Sequence, residues 1–214
     1  MIIYPLSLAD FMDLLNVREQ IITLETPVSQ AVTSAGAVAG VSSVAPRWSV
    51  VFKMAPVSQA GGSEIIARMR AIAPAHARFL VAPIYNSRPK SDPGGTVSGS
   101  SVTVSSTGAE KVTLALAGLP AAYDLSVGDY MSVTVGTVPH FHQIVEAATA
   151  NGSGVTPEFS IVPPLSASVV AGQAVTLVNP TMLASAIPGS VREGVLTMDQ
   201  LMSGASFTAR SELS

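Results

Sequence analysis

Turn-forming residues interrupt the sequence from Gly118 to Pro180 at short, regular intervals. Short apolar runs alternate there with Gly, Pro, Asn and Ser about every 8–12 residues. This spacing accommodates strands joined by tight turns, and it leaves no room for long helices between strands. The only charged residues between Lys111 and Arg192 are Asp124, Asp129, Glu146 and Glu158. The segment therefore predicts a compact antiparallel β module that has no basic surface.

Charged residues are scarce in the whole chain. They make up 12% of its 214 residues, about half of the usual share, whereas 48% of the residues are apolar and can fill a core. A monomer normally needs a charged surface without large apolar patches. We therefore expect neighbouring subunits to cover much of the surface. A monomer coated with Ser, Thr, Ala and Gly is the alternative.

The composition also disfavours several classes of partner and cofactor. The chain has no cysteine, which excludes disulfides and thiolate metal sites. No cluster of Lys and Arg could neutralise a row of phosphates, so we expect no nucleic-acid partner. No apolar run reaches the roughly 18 residues of a membrane span, so we expect no membrane insertion. Asp10 and Asp13 lie where a secretion signal would carry positive charge, and we expect no such signal.

Residue periodicity predicts two helices and one strand in the first third of the chain. Ser7–Asn16 has helical spacing with Ser7 as its cap. Arg47–Met54 alternates as a half-buried strand, with Trp48 on the apolar side. Ser63–Ala73 predicts a second amphipathic helix that is capped by Ser63. The uncharged stretch Thr26–Pro46 is either an extended arm over a neighbour or a flexible insertion.

Further strands are predicted along the remaining sequence. Ala77–Ile84 is a strand that Pro83 places at an edge or an end, and Asn86–Gly95 is the strongest loop signal. The other predicted strands lie around Val102–Val104, Val112–Leu116, Tyr130–Val135, His142–Ala147, Phe159–Val162, Ala174–Val178 and Ala205–Ala209.

The pair His140 and His142 is the best candidate for a metal site. In a strand both imidazoles project from one face and could hold zinc or iron. A site needs further ligands, and only Glu146 and His76 are plausible. Glu146 would lie about 13 Å along the strand from His142. A histidine pair on a β face without metal is therefore the favoured interpretation, and we expect no cofactor.

Catalytic chemistry has little support in the sequence. Glu158 with Asp124 or Asp129 could form a paired-carboxylate hydrolase site. Asp129, however, follows Gly128 in a turn, where its side chain can bond nearby backbone N–H groups. No GxSxG, GxGxxG or Walker loop is present. We therefore expect no catalytic, cofactor-binding or metal residues and no enzyme activity.

Aromatic residues are too scattered to indicate a sugar-stacking platform. The residues considered are Tyr4, Trp48, Tyr85, Tyr123 and Tyr130. A solvent-exposed Trp48 would support such a platform, and we expect Trp48 to be buried.

The order of these elements resembles the distal tail proteins, and related baseplate proteins, of long-tailed bacteriophages and phage-like particles. The resemblance begins with the Trp-containing strand, the following helix and the strand that leads into a Pro/Gly loop. It continues through GLPAAYDLSVGDYMSV at Gly118–Val133, HFHQIVEAATANGSGVTPEFSIVPPL at His140–Leu165 and AGQAVTLVNP at Ala171–Pro180. It covers roughly residues 47–210.

The resemblance implies a mainly β fold with a particular domain organisation. An antiparallel β-sandwich ring domain with one or two short helices would occupy residues 1–110. A small β-barrel-like accessory module would occupy 111–180, and 181–214 would return to the ring domain.

The resemblance also implies a function. The expected protein is a structural component of the virion tail tip, assembled in the host cytoplasm as a ring, usually a hexamer, that joins the tail tube to the baseplate hub. Its partners would be its own copies, the tail tube protein and the hub, with host glycan as a further possible partner. A carbohydrate-binding module and a tail tube subunit are the alternatives.

Overall fold

The computed structural model of the protein describes residues 3–27, 29–32, 38–41, 45–74, 77–197 and 201–212. Strands account for 40% of the chain and helices for 11%, which confirms the predicted mainly β class. The sheets are antiparallel, and one of them curls into a half-barrel. Two compact units are present. The first contains Arg78–Leu183 and the N-terminal residues up to Asp13, and the second contains Leu14–Ala77 and the residues from Ala184 onward.

The described part of the chain has one α-helix and eighteen strands. In chain order these are β1 (Val17–Glu25), β2 (Ser29–Val32), β3 (Val38–Val41), β4 (Arg47–Met54), β5 (Val57–Ser58), α1 (Gln59–Ile72), β6 (Arg78–Val81), β7 (Thr103–Thr107), β8 (Thr113–Ala117), β9 (Asp124–Leu125), β10 (Tyr130–Val135), β11 (Val138–Ile144), β12 (Ala148–Thr149), β13 (Phe159–Val162), β14 (Val175–Thr176), β15 (Met182–Ala186), β16 (Val195–Leu196), β17 (Leu201–Ser203) and β18 (Ser206–Ser211). Two 3-10 helices lie at Met12–Leu14 and Thr96–Gly99.

The main sheet of the second unit contains β1, β4, β18 and β15, side by side in this order. The apolar side of β4 is as predicted, because Trp48, Val50, Phe52 and Met54 are all buried. On the other side Ser49 is buried as well, so the strand does not alternate as cleanly as predicted. Phe52 lies opposite Phe207 of β18, and their rings stack with centroids 4.7 Å apart. This face of the sheet therefore carries the core of the unit.

Helix α1 begins earlier than the sequence predicts. It starts at Gln59 with Ser58 as its N-cap residue, so the prediction that Ser63 is the cap is wrong. The hydroxyl of Ser63 instead donates to the carbonyl of Ala60 at 2.7 Å, inside the helix. The extra turn includes Gly62, which packs against Met202 of β17. This tertiary contact outweighs the low helix propensity of glycine.

The first unit is built on a curled six-stranded sheet in the order β14, β10, β11, β13, β8, β7. Its two outer strands meet at a bridge between Thr103 and Ala174. Val104 N–H donates to the carbonyl of Gln173 at 2.9 Å, and Val175 N–H donates to that of Val102 at 2.9 Å. The two edges of this sheet are thus bonded to each other, as suits the predicted barrel-like module.

An apolar core is enclosed by the curled sheet of the first unit. Its buried residues include Leu114, Leu116, Met131, Val133, Ile144, Phe159 and Ile161 from the central strands. Val97, Val102 and Val104 also belong to it. These three residues come before residue 111, where the expected accessory module begins. The whole expected range 111–180 lies within the first unit.

The predicted helix Ser7–Asn16 is wrong. Only Met12–Leu14 is helical, as a short 3-10 turn. Before this turn, Leu6 N–H donates to the carbonyl of Arg78, and Leu80 N–H donates to the carbonyl of Leu6, both at 2.9 Å. Leu6 is therefore extended directly before the predicted helix, and β1 begins directly after it at Val17. The segment between them is shorter than the roughly 12–15 residues that an isolated α-helix needs.

The uncharged stretch Thr26–Pro46 is described only in part. The backbones of β2 and β3 pair as an antiparallel hairpin, with Ala31 opposite Ala39. The rest of the predicted arm includes residues outside the described ones, so a role over a neighbouring subunit stays a prediction.

Candidate functional site

The two histidines of the HxH pair face the interior of the first unit. His142 lies opposite Met131 and His140 lies opposite Val133 across the β10–β11 pair. Directly opposed residues of an antiparallel pair project from the same face, and both of these partners are core residues. The predicted common face of the histidines therefore points into an apolar core, and both side chains are buried.

His142 is held in one tautomer by a backbone contact. Its Nδ1 lies 2.8 Å from the carbonyl oxygen of Pro163. Because a carbonyl oxygen only accepts, Nδ1 carries the proton and Nε2 does not. In the described part of the chain, Nε2 has no hydrogen-bond partner. Burial lowers the pKa of His142 to about 4 and also lowers that of His140. Both imidazoles are therefore neutral near neutral pH.

The proposed metal ligands do not come together among the described residues, where no group of three or more candidate side chains could hold a metal ion. Glu146 instead accepts hydrogen bonds from Ser160, at 3.2 Å from its backbone N and 2.7 Å from its hydroxyl. His76 lies outside the described residues.

Each carboxylate of the candidate hydrolase site has local partners. Glu158 accepts from the hydroxyls of Ser106 and Thr113, at 3.1 and 3.0 Å. Asp124 accepts from the Thr149 hydroxyl at 2.6 Å. These bonds tie neighbouring strands and turns together.

Asp129 has the turn-stabilising contact that the sequence predicts. It is buried, and its carboxylate accepts from the backbone N–H groups of Ser126 at 3.2 Å and Lys90 at 3.1 Å. The first bond closes the local turn. The second attaches the loop that the sequence placed at Asn86–Gly95.

Asp92 is a buried carboxylate that sequence reasoning missed. It accepts from the backbone N–H groups of Thr96 and Val97, both at 2.9 Å, and from the hydroxyl of Tyr123 at 3.4 Å. The bonds to Val97 and Thr96 lower the pKa of Asp92. The available signal was Asp92 within the Ser-Asp-Pro-Gly-Gly run at 91–95, because an Asp in a turn commonly bonds nearby backbone N–H groups.

The same loop makes further bonds to the segment 124–129. Asn86 Nδ2 donates to the carbonyl of Gly128 at 3.1 Å, and Lys90 Nζ donates to that of Val127 at 2.6 Å. The Ser91 hydroxyl donates to the carbonyl of Asp124. The strongest loop signal in the sequence therefore marks an ordered loop whose role in these contacts is structural.

The aromatic residues do not match a sugar-stacking platform centred on Trp48. Trp48 is 4% exposed and belongs to the core of the second unit, as predicted. Tyr130 stacks on Phe141, with centroids 4.9 Å apart. Tyr123 is buried, whereas Tyr85 is 71% exposed.

A polar cavity of about 280 Å³ lies in the second unit. Its lining residues are Arg47, Ser185, Arg210, Ser211 and Glu212. Within the described ranges, the Nε atoms of both arginines are buried and have no hydrogen-bond partner. The sequence placed Arg47 on the polar side of its strand, but it gave no signal that Arg210 shares the cavity.

A second cavity, of about 270 Å³, lies in the first unit. It is lined by Val97, Ser98, Ser100, Val102, Thr176, Leu177, Val178 and Asn179. This lining has neither a charged nor an aromatic side chain, so it carries no distinctive chemistry.

Comparison with known proteins adds no family to these observations. No family model matches the chain, and no curated protein matches it. In the part of the chain that the structure describes, no helix combines the length and the apolar character needed to cross a membrane.

Proposed function

We propose that the chain is a structural virion protein of a bacteriophage tail tip, of the distal tail or baseplate class. In this proposal its copies form a hexameric ring that connects the tail tube to the baseplate hub. Its role is to position and contact its neighbours, and it has no catalytic activity. The order of elements in the sequence and the mainly β fold support this proposal.

The observation that carries the proposal is the exposure of strand β1. β1 is nine residues long and lies at the edge of its sheet, and none of its residues is buried. Ile22 lies opposite Val50, which is fully buried, yet Ile22 itself stays half-buried. Ile21 is 43% exposed. A long edge strand with apolar residues is a surface that monomeric proteins avoid and assemblies cover.

The low charge of the chain also supports assembly with other subunits. Unpaired charges are costly to bury in a subunit contact, so surfaces that become interfaces carry few of them. Contacts between identical subunits close into a ring when the rotation between neighbours divides a full turn. The 12% share of charged residues and the exposed edge strand β1 suit such contacts.

Mass measurement of the full chain in solution tests the proposal. We expect a closed oligomer for the natural sequence and for Val170→Lys, which changes a 56% exposed side chain of the first unit. We expect Ile21→Lys to shift the population to monomers, because it places a charge on the edge strand. A natural chain that stays monomeric at high concentration would overturn the proposal.

Imaging of intact particles with a label on the chain tests its location. A ring at the tip of the tail supports the proposal, whereas label along the whole tail indicates a tube subunit. Glycan binding that is lost in Tyr85→Ala, without any tail localisation, would favour the carbohydrate-binding alternative.

A further inference from the structure

Hydrogen bonds of strand β4 show which neighbouring strand each of its backbone groups faces. Met54 N–H donates to the carbonyl of Ala205, directly before β18, at 2.9 Å. Trp48 N–H donates to the hydroxyl of Ser211, at the end of β18, at 3.0 Å. Successive backbone N–H groups of a strand point to opposite sides, so the even-numbered residues of β4 face β18. Its odd-numbered residues, among them Val51, therefore face β1.

The same alternation directs other backbone groups of β1 away from β4. Ile21 lies opposite Val51, and the register does not shift between Ile21 and Thr23, so these two residues bond β4. The N–H and C=O groups of Ile22 and Leu24 point to the other side. Among the described residues β1 is the first strand of its sheet, and neither Ile22 nor Leu24 is buried. These groups therefore form an open edge that another strand can reach.

The hairpin of β2 and β3 has open edges of its own. In the described part of the chain the two strands pair only with each other, as a separate two-stranded sheet. A two-stranded hairpin by itself is marginally stable in water, and it needs a third strand or another packing partner. β2 begins at Ser29, four residues after β1 ends at Glu25, yet it does not join the β1 edge of its own chain. The chain thus carries an uncovered edge strand and a hairpin without a third strand.

Charge favours this hairpin as the partner of the β1 edge. The carboxylates of Glu19 and Glu25 on β1 are each paired within their own sheet, with Lys53 at 2.9 Å and with Arg210 at 2.8 Å. A strand that arrives at this edge therefore needs no charge to balance them. A charged partner strand would bring an ion that loses water without gaining a counter-ion there. None of the residues of β2 and β3 is charged.

We propose that the β2–β3 hairpin of one copy adds to the β1 edge of a second copy, through backbone hydrogen bonds to Ile22 and Leu24. The inference rests on the ring assembly proposed above and names the two segments that meet in it. Main-chain bonds of this kind supply the affinity when a strand is added to a sheet edge. Because the hairpin and the edge are different segments, each copy gives one and receives one. Such a head-to-tail contact passes from copy to copy and closes into a ring.

Engineered disulfides test the contact, because the natural chain has no cysteine. One full-length variant carries Ile21→Cys, at a side chain that is 43% exposed. Since Ile21 bonds β4, it takes a non-hydrogen-bonded position toward an added strand, where opposed Cα atoms lie about 4.5 Å apart and a disulfide fits. The other full-length variants carry one cysteine each in the hairpin. Their positions are Ser29, Gln30, Ala31, Val32, Val38, Ala39 and Val41.

The Ile21→Cys chain is mixed with each hairpin variant and oxidised, and the cross-linked peptides are identified by mass spectrometry. We expect mixed dimers whose yield alternates by about fivefold or more between successive positions of one hairpin strand, because successive side chains of a strand point to opposite faces. Val170→Cys, at a 56% exposed side chain of the first unit, is the control for random collision. Yields that do not alternate, or that do not exceed this control, would overturn the proposal. Ile21→Cys chains that cross-link mainly with each other would overturn the choice of the hairpin.

Hydrogen exchange reads the same contact in the natural chain. It is followed residue by residue by mass spectrometry with electron-transfer fragmentation. We expect the amides of Ile22 and Leu24 to exchange about tenfold more slowly in the assembled form than in the Ile21→Lys monomer. Thr23 is the internal control, because its amide faces β4 in both forms. Equal exchange of Ile22 and Leu24 in the two forms contradicts strand addition.

The outcomes separate this inference from the ring proposal. A natural chain that forms a closed oligomer without alternating cross-links would overturn the inference and leave the ring proposal standing. Alternating cross-links in an assembly of only two copies, which exchange their hairpins, would sustain the inference while the ring proposal fails. A monomeric chain without cross-links above the control would overturn both.

Discussion

Gly62 of helix α1 lies so close to Met202 of β17 that a β-carbon has no room between them. A Cβ built on Gly62 would be 2.9 Å from the Met202 Cβ and 3.0 Å from its Sδ. The contact joins the helix to a strand about 140 residues later in the chain, so it fixes the packing of α1 in the second unit.

Gly62→Ala should destabilise the protein by about 1–3 kcal/mol, the usual range for overpacking a core. Gly61→Ala is the matched control, because its new Cβ would meet nothing closer than 3.8 Å. The control should be stabilising by up to about 1 kcal/mol through helix propensity. Urea unfolding of both variants checks the prediction. Equal changes in the free energy of unfolding would show that the close contact with Met202 does not cause the destabilisation.

Gly154→Ala should strongly destabilise the first unit. Gly154 has a φ of +74°, and an added Cβ would overlap the carbonyl oxygen of Leu119. Leu119 N–H also donates to the carbonyl of Gly154 at 3.1 Å, so the two backbones cannot separate without breaking a bond. Gly152→Ala meets nothing within 4 Å and should be nearly neutral. Thermal unfolding should separate the two variants, and similar melting temperatures would contradict this account.

His142 should make the protein less stable as the pH falls from about 6.5 to about 4. The unfolded chain binds a proton with the ordinary pKa of 6.5, whereas the buried imidazole binds it only near pH 4. Across this window the unfolded state therefore holds more protons, and acid favours it by about 3 kcal/mol in total. Unfolding free energies measured at a series of pH values should show this slope.

His142→Gln should flatten most of that slope, because glutamine can donate to Pro163 but does not titrate. His140→Gln should keep the larger part of it, since the large lowering of a pKa, to about 4, is that of His142. A slope that survives in His142→Gln would assign the acid sensitivity to another group.

Asp92 should contribute a separate acid sensitivity below pH 3.8. Its folded pKa is lowered by bonds from Val97 and Thr96, so its contribution is present above 3.8 and is lost as the pH falls further. Asp92→Asn should lower stability at neutral pH and make the decline below pH 4 shallower. Asp124→Asn keeps an oxygen that can accept the exposed bond from Thr149. This variant should therefore change both the stability at neutral pH and the decline below pH 4 less than Asp92→Asn does.

About half of the eighteen strands could be predicted from the sequence, because their signals are local. Alternation in Arg47–Met54 identified β4, and the bounds of Tyr130–Val135 and Phe159–Val162 agree with β10 and β13. The N-terminal helix was wrong because its short segment lies between Leu6, which is bonded in an extended conformation to Arg78, and β1, which begins at Val17. A bond between residues so far apart in the sequence cannot be predicted from the periodicity of a ten-residue segment.

The polar cavity could not be predicted for a related reason. Arg47 and Arg210 are 163 residues apart in the chain, and they become neighbours only through the β4–β18 register. The alternation in β4 predicted the face of the sheet on which Arg47 lies, but no pattern in the sequence indicated that Arg210 lies on the same face. Asp92 was missed although an Asp in a turn commonly bonds nearby backbone N–H groups, because the surrounding Pro and Gly residues suggested only a loop.

The position of β18 between β4 and β15 has a consequence for the order of folding during synthesis. The main sheet of the second unit needs β18, which ends at Ser211, so it cannot be completed until residue 211 has left the ribosome. The core of the first unit runs from Val97 to Leu177 without interruption and can form earlier. The apolar side chains of β1 and β4 therefore stay exposed to solvent while the middle of the chain folds. A nascent chain of this kind depends on rapid completion or on a chaperone to protect its first strands.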